Sequence, residues 1–500
     1  MERIGRWACV VGGAVALCAG GWAIDSAEAK SRKPAASAPA SAPAKPASAT
    51  ICEGQYKRKP LTPALLMKTI EAHAQWLDHS RSGSQPANLC EADLRQAALK
   101  GATLDRANLE GATLTKADLR ESSLIQASAA GADLSQARLA EANLSSADLR
   151  HAKLAGADLQ GVVGNDAALY AASLPGAQMQ DADFERGHFE GADLTGARLI
   201  SGTFVDAYFY GSNLSRAVLS SADFSGADFR RADLTQAVLL RATLEGAQMD
   251  SSRLRGARMM ESDFEAAFLD GADLREVNAS DASFRTADLR YTRWDRAVLV
   301  ETDFEEANLE NAQLRHANLE GARLEHAVLY KADLSESGLR GAHLPKAVMI
   351  LVRGEGADFS EADLSEVHAP RAAFMRARFD AATLEGANLV GADLSGAQFH
   401  QTDMGEANLH DAVLHGAEFV ETDLAGAQFD GADLRQAQFK GAQLAEALGL
   451  TQAQLNVACV DDATELPPDL TRPAPCKRAP AAPATPSRQP TTGTKKGARR

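Results

Sequence analysis

Large apolar residues recur every five positions through most of this chain. They stand at Leu89, Leu94, Leu99, Leu104, Leu109, Leu114 and Leu119, and the phase still holds at Leu434, Phe439 and Leu444. The run covers residues 87–446, which is 72 pentads without insertion or deletion, and 67 of the 72 centres are Leu, Phe, Met or Trp. Two residues before every centre stands Ala, Gly, Ser, Thr or Val, and it is Ala in 57 pentads. The residue between them is often Asp or Asn, as in Ala92-Asp93-Leu94 and Ala107-Asn108-Leu109.

In extended backbone, residues two apart point to the same side. The small residue and the large one therefore face inward together, and the Asp or Asn between them faces out. The remaining two residues, often drawn from Gly, Ser, Arg, Gln and Glu, must turn a corner before the next inward pair. A chain that keeps turning the same way closes into a coil. Phe at 184, 204, 224, 264, 284 and 304 sets the coil length, because these centres are separated by multiples of 20. Phe189, Phe209, Phe229 and Met249 form a second column, and Phe359, Phe379, Phe399, Phe419 and Phe439 a third. Twenty residues are four pentads, so each coil has four sides and like rings stack on like rings. The step from Phe304 to Phe359 is 55 residues, one pentad short of three coils. Either the ladder changes faces there or a side is irregular near Pro345–Gly354.

The repeated A-(D/N)-L-x-x phrase resembles the pentapeptide-repeat proteins. The resemblance implies an all-β fold, a right-handed quadrilateral parallel β-helix, here of about 18 coils. At a strand spacing of about 4.8 Å the rod would be on the order of 85 Å long. The Asp or Asn is expected to bond nearby backbone N–H groups as a turn residue. Gly164 and Gly354 stand where a large residue belongs, with Val162 and Val352 two before them, and Ala129, Ala279 and Ala369 also leave the centre small. Local thinning, bulges or bends are expected at these places.

A parallel solenoid needs covers at its ends, and short α-helical caps are predicted at both. Before the array, Thr62 and Pro63 suit a helix start. Leu65, Leu66, Ile70, Ala74 and Leu77 supply an apolar face, with Trp76 at its flank and His73 and Trp76 read as lid packing. After it, Thr451-x-x-Gln454 reads as a capping box opening a short helix that ends near Cys459. The domain order predicted is a signal peptide at 1–29, a Pro/Ala-rich linker at 30–50, the N-terminal cap at 51–86, the β-helix at 87–446, a C-terminal cap at 447–478 and a basic tail at 479–500. The signal reading rests on Arg3 and Arg6, the apolar run from Ala8 to Ala23, and the Ala27-Glu28-Ala29 cleavage site. That run is short for a membrane span, so membrane attachment would require an uncleaved signal. The expected location is the periplasm or the exterior.

Composition sharpens this picture. Of six Cys, four follow the signal region: Cys52, Cys90, Cys459 and Cys476, one pair at each end of the array. Disulfides Cys52–Cys90 and Cys459–Cys476 are expected in an oxidising compartment. The net charge is −15, but it is uneven. Residues 1–60 carry +5 and residues 471–500 carry +8, which leaves −28 on the body between. An acidic body excludes a nucleic-acid binder. No G-x-S-x-G, Walker-type loop or dinucleotide fingerprint occurs, and a filled core leaves no natural pocket. At the 20-residue period His400, His410 and His415 fall on different faces, and His316 and His326 on opposite ones, so no metal or cofactor site is expected.

One outward patch stands out: Ile200, Val218, Val238, Leu240, Met260, Val298 and Val300. It reads either as a protein interface or as ordinary strand surface. Arg253, Arg255, Arg275, Arg293, Arg296 and Arg315 on an adjacent face, interrupted by Asp273 and Asp295, read as a solvated mixed surface. The functional expectation is an exported, non-enzymatic interaction scaffold with an unidentified protein partner or a second copy of itself, and no small-molecule substrate. The alternatives are a structural envelope rod or, as the family resemblance implies for some bacterial members, an acidic DNA mimic that binds a topoisomerase.

Overall fold

The computed structural model describes Cys52, residues 56–78 and residues 86–473. All belong to one of the two compact units into which the chain divides, Cys52–Arg500. The signal, linker and tail expectations lie outside the described residues.

The pentads fold as a quadrilateral parallel β-helix. Parallel bridges join the outward residue of each side to the one 20 positions on, from Asn88 with Asn108 through to Gln428 with Leu448. The outward Asp or Asn of each side is the bridging residue, while the small residue before it and the centre after it are buried. Between successive coils the bonds alternate in direction. Leu89 N–H donates to Asn108 C=O, and Asn108 N–H donates to Ala87 C=O. Near the C-terminal end the bridges lengthen into three-residue strands, β1 Gln398–His400, β2 Glu418–Val420 and β3 Gln438–Lys440.

Each corner has one conformation. From Glu91 to Gly441, every residue whose number ends in 1 or 6 has a positive φ. The amide after it closes the turn, as Ala97 N–H donating to Leu94 C=O at 3.0 Å. A four-residue turn with positive φ at its third position favours Gly there, which explains why Gly is frequent at this place in the phrase. The Asp or Asn side chain braces the same corner. Asp118 accepts from Arg120 N–H and Asn143 from Ser145 N–H, as the sequence leads one to expect of a turn residue.

Rings stack through the core at the coil repeat. Phe359, Phe379, Phe399, Phe419 and Phe439 are spaced 5.1, 5.0, 4.9 and 4.9 Å between centroids, with nearly parallel ring planes. The 20-residue register is unbroken between Phe304 and Phe359, so the ladder changes faces and no side is irregular. The pairing register also holds at the small centres, so no bulge interrupts it there. Val163 still bridges Asp183, Arg353 bridges Ala373, and Ser128, Asn278 and His368 keep their partners. A Cβ at Gly164 would lie 2.2 Å from the Phe184 ring, and one at Gly354 would lie 2.7 Å from the Phe374 ring. The ring of the next coil fills the space that each Gly leaves.

Helix α1, Pro63–Asp78, packs on the first coil through Leu66, His73 and Trp76. The expected apolar face is shifted. Leu65 is exposed and Ile70, Ala74 and Leu77 are half-buried, while His73 is 1% exposed. The polar ring is buried because both nitrogens are satisfied. Nδ1 accepts from Ala87 N–H and Nε2 reaches the Asp105 carbonyl, each at 3.0 Å. The segment before α1 also touches the coil, Lys57 bridging Ala92 and Pro60 bridging Asp93.

At the far end the Thr451 capping box is present, its hydroxyl accepting from Gln454 N–H. The helix it opens, α2, is short: Gln452–Leu455. It stops well before Cys459, because the chain must return to the sheet as β4, Cys459–Val460. β4 joins the parallel sheet in the order β1-β2-β3-β4, with a 21-residue step from Gln438 to Cys459. Pairing runs on to Gln443 with Glu465, beyond residue 446 where the pentad phase ends.

Candidate functional site

The register places the apolar patch on one face but divides it. Val218 bridges Val238, which bridges Arg258; Arg258 bridges Asn278, and Asn278 bridges Val298. Arg258 is exposed, and Asn278 is bonded to the Ser280 hydroxyl. Val298, 37% exposed, and Val300 are therefore cut off from the rest. In the neighbouring column Ser220 separates Ile200 from Leu240. The contiguous apolar area is Val218, Val238, Leu240 and Met260, all half-buried by their strand neighbours.

The adjacent Arg face is an ion-pair ladder. Arg253 reaches Asp233, Arg275 reaches Asp273, and Arg315 lies between Asp295 and Asp333. Arg two residues after the outward Asp recurs as a clamp, with Arg120 Nε and one terminal nitrogen each 2.7 Å from Asp118. That clamp holds the Asp118 carboxyl well below the usual range, at about 2. Exposed pairs of this kind contribute little to stability.

Cys52 and Cys90 form the expected disulfide, with Cα atoms 5.9 Å apart. Cys459 is disulfide-bonded, and Cys476 lies outside the described residues. His400 pairs with Asp380, His410 with Asp411, His316 with Glu336 and His326 with Glu325. These are separate contacts. Among the described residues no group of His, Cys, Asp and Glu could hold a metal ion, and no helix is long and apolar enough to cross a membrane.

Three surface features escaped the sequence reading. His188 lies between the rings of Tyr170 and Tyr208, at centroid distances of 5.0 and 4.6 Å. Its Nδ1 is 2.8 Å from the Tyr170 hydroxyl and 3.2 Å from Glu190. Burial, followed by the Glu190 charge, pushes the Tyr170 hydroxyl up to about 12. The second feature is the placement of the negative charge. Asp223, Asp263 and Asp303 stand in one column and Glu245, Glu265 and Glu305 beside it, with Arg285 pairing to Asp303 and Glu305. Reading the outward residues at steps of 20 would have found both. The third is a groove of about 630 Å³ at the N-terminal end, lined by Pro60, Leu61, Pro63, Leu66, Met67 and residues 93–98. It lies outside the filled core, between α1 and the first coil, so the period of the array could not reveal it.

A side-chain-filled β-helix with braced corners defines a solenoid repeat protein. The chain belongs to the pentapeptide-repeat family. The family profile "Pentapeptide repeats (8 copies)" matches nine overlapping or adjoining segments from 87–120 to 332–368, and "Pentapeptide repeat region" matches 372–448. Among solved structures it is similar to HetL of the cyanobacterium Nostoc sp. strain PCC 7120, a protein involved in heterocyst differentiation regulation. That match has 34% identity over 45% of this chain and 89% of HetL, with a TM-score of 0.21. A pentapeptide repeat protein of the Arabidopsis thaliana thylakoid lumen matches at 30% identity over 24% of this chain and 68% of that one, TM-score 0.17. QnrB1, a plasmid-mediated fluoroquinolone resistance protein, matches at 17% identity over 44% and 91%, TM-score 0.24. No curated protein sequence matches the chain.

Proposed function

We propose that this protein is an exported, non-enzymatic interaction scaffold: a right-handed β-helix of about 18 coils, covered at its ends by the α1 and α2 regions, that offers one face to a protein partner. The observation that carries this reading is the contiguous apolar area Val218, Val238, Leu240 and Met260, which lies beside a face of ion pairs. The Cys52–Cys90 disulfide supports export, because such bonds persist in oxidising compartments.

The test is a Leu240→Glu/Met260→Glu variant compared with the wild type in a pull-down from the envelope fraction. The expected outcome is a folded protein that loses its bound partner. A variant that keeps its fold and every partner sinks the reading. The acidic column of Asp223, Asp263 and Asp303 favours a second reading, a DNA-like surface for a cytoplasmic topoisomerase. Fractionation with N-terminal sequencing separates the two. A mature chain starting near residue 30 in the envelope favours the scaffold, and an intact chain in the cytoplasm favours the mimic.

A further inference from the structure

The outward aromatic residues of the array all stand on one of its four faces. Tyr170, Tyr208, Tyr210, Tyr291 and Tyr330 are every Tyr between residues 87 and 446, and Phe268 is the single Phe there that is not a centre. At steps of 20 the six fall into three adjoining columns, those of residues 268, 270 and 271. Phe268 is 49% and Tyr291 54% exposed. The face that bears Val218 and Val238 lies two pentads away around the coil, on the opposite side. The aromatic face is therefore separate from the apolar area assigned above to a protein partner.

The charges on this face are self-complementary about Asp270. One step of 20 reaches Asp250 on one side of it and Arg290 on the other. Two steps reach Arg230 and Glu310, and three reach Tyr210 and Tyr330. In the column of Phe268 the same steps match Gln248 with Asp288, Asp228 with Asn308 and Tyr208 with Val328, and no like charges meet. Other centres fail. Moving half a step sets Arg230 against Arg290 in one direction and Asp250 against Glu310 in the other. Moving a whole step sets Glu190 against Glu310, or Asp270 against Glu310.

We propose that two copies of this chain pair side by side and antiparallel through this face, about a two-fold axis at the coil of Phe268 and Asp270. An axis that lies in the face and crosses the helix axis at right angles sets each column against itself, reversed. Phe268 of one copy then meets Phe268 of the other, Asp250 meets Arg290, and Arg230 meets Glu310, each charged pair occurring twice. Arg230 and Arg290 each clamp the Asp two residues before them through Nε and one terminal nitrogen. The other terminal nitrogen remains for the carboxylate opposite. Within one copy, burial raises the Asp250 pKa, and the charges of Asp270 and Asp288 add to it. A guanidinium facing Asp250 relieves that crowding. The contact is isologous and closes at two copies. Tyr, Phe and Arg are the side chains that interface centres favour. The one like pair is Asp270 with itself, at the axis.

The test combines sedimentation velocity of the full chain with cysteine cross-linking. The wild type is expected to form a dimer and nothing larger as concentration rises, and the dimer should weaken roughly tenfold at high salt. Phe268→Cys should form a disulfide between copies, whereas Val163→Cys, exposed on a different face, should not. Tyr208→Cys and Val328→Cys should each fail to cross-link alone and should cross-link when mixed, which fixes the register. Glu310→Arg sets like charges together twice and should weaken the dimer roughly tenfold or more. Asp270→Asn removes the like pair at the axis and should tighten it. These side chains are exposed or half-buried, so the variants should fold. A wild type that stays monomeric overturns the proposal and leaves the face to a partner of another kind. So does a dimer that cross-links as readily through Val163→Cys as through Phe268→Cys, or a Tyr208→Cys and Val328→Cys mixture that does not cross-link.

Discussion

At the scale of single residues, the clearest statement concerns Gly164 and Gly354. The sequence marks them as departures, since a large side chain is missing from the centre. It does not say what fills the space. The answer stands one coil further on, where Phe184 and Phe374 lean into the gap. Gly and ring act as one packing unit divided between two coils. Gly164→Ala should therefore overpack the core and cost about 1–3 kcal/mol, although Ala is smaller than the Leu or Phe usually found at a centre. Adding Phe184→Leu should recover most of that loss, because the shorter side chain withdraws from the new methyl. Thermal melting of the single and double variants checks this, with hydrogen exchange reporting which coils open. If the double variant is no more stable than the single one, the packing unit is wrongly drawn. The 20-residue period already places Gly164 beside Phe184, so this pairing was legible and was missed by reading each pentad alone.

At the scale of elements, α1 shows what periodicity cannot supply. An apolar stripe at helical spacing was legible, but the residue buried most completely, His73, is polar. Its burial depends on two backbone groups, Ala87 N–H and Asp105 C=O, that are distant in sequence. Because Nδ1 accepts from an amide, the ring proton must sit on Nε2 and donate to the carbonyl. A second proton on Nδ1 would break the Ala87 bond. Burial accordingly holds the His73 pKa below its ordinary value of 6.5. The sign follows from linkage. The unfolded segment takes up a proton near 6.5 and the docked helix resists it. The stabilising contribution is therefore complete above that pH and is lost as pH falls through the lower folded value. Protection of residues 63–78 against hydrogen exchange, corrected for the pH dependence of intrinsic exchange, should fall on acidification from pH 7 to 5, with the coils beyond the second unaffected. Corrected protection in α1 that is flat across this range would contradict a neutral, Nε2-protonated His73. The C-terminal element behaved differently. Its capping box was readable as a local motif, whereas β4 was hidden because its apolar centre, Val460, falls out of phase with the pentads by one residue.

At the scale of the whole molecule, stability in a solenoid is close to a sum of units and nearest-neighbour contacts. A change at one end should therefore stay near that end. The period, the number of sides and the Phe columns were all in the sequence, because one inward position repeated 72 times averages away local noise. Of the end structures only the local motifs were, the α1 stripe and the Thr451 capping box, because the rest is built once from unrepeated contacts. The Cys52–Cys90 disulfide was legible too, from Cys count and placement. It closes a separation of 38 residues that includes α1 and the 57–60 segment. In the chain-entropy account a loop of this size stabilises by about 4 kcal/mol. Because α1 and the first coil form one neighbourhood, Cys52→Ser should release α1 and fray the coil from Leu89 to about Asp105. The stacked rings from Phe359 to Phe439 should be untouched. Hydrogen exchange is expected to show faster opening confined to residues 56–78 and the first one or two coils, with an unchanged main melting transition. A uniform loss of protection along the array would instead mean that the coils melt as a single cooperative body, and that the N-terminal end is part of one folding unit with the rest.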